Sequence, residues 1–166
     1  MNIKKTLLSA AAALIIAPAA SFAAETVAVQ VKASVPASDG LQIGPPSGDT
    51  WLSTTQEFRW DMQTQSLNSI TGKNLILRNS SAISAYLADA PSLTSGGDSI
   101  ALGVELGGKA LAVGAAAAVE VASAAQAATG HPAEVKLVPT APTGGYAEGT
   151  YTGTVTMMFD SVVTSP

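Results

Sequence analysis

From Glu25 to Val35 the chain reads ETVAVQVKASV, with apolar Val27, Val29, Val31, Ala33 and Val35 alternating with Thr26, Ala28, Gln30, Lys32 and Ser34. A period of two marks a strand with one buried face. The period returns at Phe58, Trp60 and Met62, where Glu57, Arg59, Asp61 and Gln63 occupy the wet positions. It appears again at Ile100, Leu102, Val104 and Leu106, and last at Tyr151, Gly153, Val155, Met157 and Phe159, within Thr150 to Asp160. Asn74 to Arg78 (NLILR) reads as a compact apolar strand, and Ala133 to Val138 as another, closed by Pro139. Ile83 to Ala88 carries a weaker strand signal that Asp89-Ala90-Pro91 ends.

The intervals carry turn chemistry. Pro36 to Asp49 predicts a loop with a short edge strand between Gly40 and Gly44. Thr71-Gly72-Lys73-Asn74 and Gly96-Gly97-Asp98 read as turns, and Thr140 to Gly149 as a loop. Gly107-Gly108 separates Ile100–Leu106 from Lys109–Val113 with the spacing of a two-residue hairpin. Ala115 to Ala128 is open: alanine favours a short helix, while Val119 and Val121 could extend a strand. Six to eight short strands between such turns predict an all-β sandwich, and no long repeat or domain boundary interrupts it.

Composition changes this picture at the N-terminus. Lys4 and Lys5, the apolar run Leu7 to Ala17, and Pro18 before small residues around Ser21-Phe22-Ala23 predict a secretory signal over residues 1–23. The run is too short for a membrane span. Cleavage after Ala23 leaves 143 of the 166 residues, enough for one core. Losing Lys4 and Lys5 takes the basic count from 8 to 6 against 12 acids, a net charge of about −6, which argues against nucleic acid or an anionic membrane as partner. The chain has no cysteine, so disulfides and thiolate chemistry are excluded. Charged residues make up only 12%, less than a disordered chain of this length would normally carry.

Candidate chemistry is sparse. The single histidine, His131, stands beside Pro132 in an expected turn with no acid and nucleophile to complete a triad. Asp39, Asp49, Asp89 and Asp98 each adjoin Gly, Pro or Ser, where turn formation explains them. No acids have calcium-loop spacing, and neither glycine pair precedes a phosphate-loop lysine. Asn79-Ser80-Ser81 matches a glycosylation sequon of low specificity. Trp51, Trp60, Tyr146 and Tyr151 could contact carbohydrate, although such aromatics more often form core or rim. An enzyme is not expected, and no cofactor or metal is implied.

Three ordered stretches carry a resemblance. Ala33-Ser34-Val35 closes the first alternating run, and Leu87-Ala88-Asp89-Ala90-Pro91-Ser92-Leu93 follows the strand-rich middle. Pro139-Thr140-Ala141-Pro142 leads to Gly149-Thr150-Tyr151-Thr152-Gly153-Thr154-Val155. Together they resemble the major pilins of colonisation-factor and cable-type fimbriae, the alternate chaperone–usher group, over essentially the whole mature chain. The resemblance implies an incomplete immunoglobulin-like β-sandwich completed by a donor strand from a neighbouring subunit. It implies residues 24–35 as the donor strand and the start of the first strand, and 36–166 as the pilin domain. Val27, Val29 and Val31 would then face inward, with Ala33 and Val35 continuing the subunit's own first strand. Tyr151, Val155, Met157 and Phe159 would flank the acceptor groove.

The partners so implied are copies of the chain in a filament, a periplasmic chaperone, an outer-membrane usher and a tip adhesin, with export through the periplasm to a surface fimbria. Physical reasoning is compatible with this. A missing strand exposes unpaired edges, and an added alternating strand satisfies them. The rival from another class is a monomeric secreted carbohydrate- or receptor-binding sandwich. It predicts that the N-terminal strand pairs in its own sheet and that aromatics cluster on one exposed face.

Overall fold

The computed structural model describes the backbone of residues 27–33 and 40–162 and the side chains of residues 40–161. The proposed signal at 1–23 and Val35 therefore lie outside the described residues. Thirteen strands, one short α-helix and two single-turn 3-10 helices (Trp51–Ser53 and Ala115–Ala117) are present among them. In chain order they are β1 (Val27–Ala33), β2 (Gln42–Gly44), β3 (Gln56–Phe58), β4 (Trp60–Asp61), β5 (Ser66–Leu67), β6 (Ile70–Arg78) and β7 (Ala82–Leu87). There follow β8 (Ser92–Ser95), β9 (Asp98–Leu106), β10 (Lys109–Ala110), β11 (Val119–Ala122), α1 (Ala124–Thr129), β12 (His131–Pro139) and β13 (Thr152–Val162).

The strands form an all-β sandwich of immunoglobulin-like character. One layer runs β3-β1-β13-β7-β11, and the other runs β9-β12-β6-β2 with β10 on β9. The strand β8 joins them, pairing with β13 at Thr152↔Thr94 and with β9 through Ser95↔Asp98. A single core draws on both layers. Leu75, Leu77, Val104, Leu106, Val135 and Leu137 come from one, and Ile83, Ala85, Leu87, Val155, Met157 and Phe159 from the other. Period-two burial in β7, β9, β12 and β13 is the physical content of the alternation in the sequence.

Tyr151 is buried just before β13, and its hydroxyl donates to the carbonyl of Ala147 at 3.1 Å. A tyrosine at the entry to a late strand, bonded a few residues upstream, is the corner device of immunoglobulin-like sandwiches. At the Gly107-Gly108 hairpin both glycines have positive φ, +57° and +78°, as a mirror-image two-residue turn demands.

Several expectations need correction. The alternation of Phe58, Trp60 and Met62 does not make one strand. Phe58 is buried, whereas Trp60 and Met62 are exposed, because the chain turns at Asp61. The Asp61 carboxylate accepts from the backbone N–H groups of Gln63 (2.8 Å) and Thr64 (3.1 Å), closing the small β4–β5 hairpin. Thr71–Asn74 is not a turn but part of β6. Gly72, at φ +72°, takes up a register shift between Val135↔Lys73 and Leu137↔Ile70, which is a bulge. Strand β10 stops at Ala110 because the next residues change partner. Leu87 N–H donates to the Ala112 carbonyl, and Gly114 N–H to the Leu87 carbonyl. His131 opens β12 opposite Leu77, not a turn. Ala115 to Ala128 contains both alternatives, β11 and then α1, the helix started by a Ser123–Gln126 capping box. The strand β8, not anticipated, supplies fully buried Leu93.

Two outcomes follow from these contacts. Gly153 lies in the inward phase of β13, where an added Cβ would run into the Ser92 carbonyl oxygen and lie 3.0 Å from the Leu93 side chain. Gly153→Ala should cost about 2 kcal/mol or more, read as a lowered midpoint in urea unfolding. An unchanged midpoint would mean that β8 yields freely. The Thr64 and Gln63 N–H groups also hold the Asp61 carboxyl below the ordinary aspartate range. Its contribution to the hairpin is therefore present at neutral pH and lost as pH falls through that lowered value. The Thr64 amide NMR shift should titrate there, and a midpoint at the ordinary aspartate value would contradict the turn.

Candidate functional site

One layer of the sandwich is bridged by β1. This strand lies between β13 and β3 and is the only strand bridging them among the described residues. Its pairing with β13 is parallel, Ala28↔Thr152 through Ala33↔Met157. Its pairing with β3 is antiparallel, Val27↔Phe58 through Val29↔Gln56. Neighbouring strands lie about 4.8 Å apart, so the walls β13 and β3 stand roughly 10 Å apart, one strand's width.

Both walls have anchors besides β1. On one side, β13 pairs with β7 from Met157 to Val162 and with β8 at Thr152. On the other, Trp51 is buried in the short helical turn before β3, and its Nε1 donates to the Asn74 carbonyl of the opposite layer at 3.0 Å. Gln56 is buried within β3, and its amide nitrogen donates to the Trp51 carbonyl at 2.9 Å and to Thr54 at 3.0 Å. A buried amide satisfied in this way fixes the backbone around it. Removing β1 would leave two fixed walls with unpaired backbone groups facing a gap.

The sequence-derived residues sort onto this seat as follows. Val27, Val29, Val31 and Ala33 lie in β1, their Cα atoms opposite Phe58, Gly153, Val155 and Met157 in turn. Val155 and Met157 are buried in the stretch of β13 that β1 covers. Tyr151 lies at one end of that stretch, and Phe159 beyond the other, opposite Ala85 of β7. Sequence reasoning missed the second wall, Gln56 and Phe58, and its anchor Trp51. Phe58 was visible as an apolar strand residue, but nothing local assigns β3 to β1 as a neighbour.

Of the four aromatics considered for carbohydrate, Trp51 and Tyr151 are core. Trp60 and half-buried Tyr146 meet edge to face, with ring centroids 5.3 Å apart. No group of three potential metal ligands occurs among the described residues.

Comparison with known proteins bears on this arrangement. In the solved structure of the CooA pilin subunit from enterotoxigenic Escherichia coli the fold recurs with a TM-score of 0.50 at 10% sequence identity, over 75% of this chain and 99% of that one. No curated protein sequence matches the chain. The family model described as CS1 type fimbrial major subunit matches residues 25–160, from the start of the first alternating run to the end of the last. The chain therefore belongs to the CS1-type fimbrial major subunit family.

Proposed function

We propose that the chain builds its fimbria by donor-strand complementation, the alternating segment of one copy filling the seat between β13 and β3 of the next. The observation that carries this reading is that one layer of the sandwich is continuous only through β1, a strand contributed by the extreme N-terminal part of the fold. A strand that opens the mature chain, once the signal expected at 1–23 is removed, can be exchanged without unthreading any loop. Pairing along the seat is β-augmentation, with main-chain hydrogen bonds giving affinity and alternate side chains giving register.

Donor and acceptor surfaces differ, so the contact is heterologous and propagates without closing, which makes a filament. Its strength resides in the slow release of each inserted strand, a kinetic property. Family membership supports self-association into a surface fibre with a structural, non-enzymatic subunit. The proposal extends this to passage through the periplasm with a chaperone shielding the seat, an outer-membrane usher exchanging strands, and a separate tip adhesin. The monomeric binding module shares one feature with the structure, an N-terminal strand paired in its own chain. Of the aromatics it would need on one exposed face, Trp51 and Tyr151 are buried, which leaves only the Trp60–Tyr146 pair.

The test is a mature chain lacking Ala24 to Lys32. It should form no fibres, and a peptide spanning Glu25 to Val35 should raise its Tm by roughly 10 °C at a large excess over Kd. The peptide with Val29→Asp and Val31→Asp should give no rise. A truncated chain that is stable unaided and indifferent to the peptide would refute donor-strand assembly.

A further inference from the structure

The seat of β1 has a property that strand exchange between copies does not require: it is filled from within the same chain, in the parallel direction. We propose that a subunit free of its chaperone caps itself, β1 resting in its own seat, so that release of β1 rather than encounter with a neighbour limits strand exchange from that state. The inference rests on the donor-strand reading and adds a state to it.

Three observations support the self-capped state. First, the tether is short. Ala33 ends β1 and Gln42 begins β2 in the other layer, and the nine residue steps between them reach at most about 30 Å. A tether of that length gives a tethered strand an effective concentration in the millimolar range, which outcompetes free copies at micromolar concentration. Second, both walls of the seat have contacts besides β1, since Trp51 and Gln56 tie down the β3 wall and β7 and β8 pair with β13. Self-capping therefore has less of the seat to order. Third, the hold is unequal along β1. Ala28 and Val29 pair on both sides, Val27 pairs with β3 alone, and Gln30 to Ala33 pair with β13 alone among the described residues. Parallel pairing is also somewhat weaker per residue than antiparallel. β3 thus holds only Val27 to Val29, and displacement can begin over Gln30 to Ala33, where β13 alone pairs with the strand.

Self-capping also answers a hazard. An unfilled seat between two fixed walls is an aggregation template. A seat closed by its own chain is silent until the strand leaves. Polymerisation then depends on a local opening rather than on global unfolding.

The experiment uses the full mature chain as monomer and a fluorescent peptide spanning Glu25 to Val35. Uptake should rise with peptide concentration and then level off at a rate set by β1 release. A companion variant, Gln30→Cys with Thr154→Cys, places thiols on Cα partners of β1 and β13, within disulfide reach, in a chain with no other cysteine. Oxidised as a monomer, it should form an intrachain bond, lose peptide uptake by about a hundredfold or more, and stop assembling, with reduction restoring both. Uptake proportional to peptide at all concentrations, with no intrachain bond, would overturn self-capping and leave donor-strand assembly standing. An intrachain bond that forms while fibres still assemble in the oxidised state would instead overturn donor-strand assembly.

Discussion

One backbone edge governs the structure: the side of β13 from Thr152 to Met157 that faces away from β7 and β8. Its N–H and C=O groups lie over a buried stripe containing Val155 and Met157, with Tyr151 at its head. Buried main-chain groups must be paired, and only a strand can pair a whole edge at once. β1 meets that requirement, and β3, three residues long, flanks it on the other side beside Trp51 and Gln56. A wall that moved would abolish the slot.

The rest of the fold holds this edge and the facing β3 in place. Gly153 lets β8 cross tightly against the inner face of β13, where a side chain would collide with the Ser92 carbonyl. The hydroxyl of Tyr151 ties the entry of β13 to Ala147. The capping box of α1 and the turn from Ala112 to Gly114 close the far edge at β11 and β7. In a protein without cysteine, these contacts replace the staple that a disulfide supplies in many exported sandwiches.

Much of this was legible in the sequence because alternation and turn chemistry are local. The first and last strands, the Gly107-Gly108 hairpin, the edge strand at Gln42–Gly44 and the sandwich class are all written in neighbouring residues. What was not legible depends on contacts between distant segments. Met62 continues the apolar alternation of Phe58 yet is exposed, since the Asp61 side chain captures two backbone N–H groups and turns the chain. Gly72 looks like a turn but is a bulge, a difference fixed by its partner strand β12. The β13 side of the seat was visible as an alternating strand, but the β3 side was not, because pairing between the chain's beginning and its middle leaves no local trace. Nor does any residue announce that β1 runs parallel to β13 in its own chain.

The most direct measurement is the structure of the assembled fibre by electron cryomicroscopy at a resolution that traces the backbone. In each subunit, density should fill the seat between β13 and β3, and it should lead back to the body of a neighbouring copy. Density in that seat connecting through residues 34–39 to β2 of the same subunit, in an intact fibre, would contradict strand exchange as the basis of assembly.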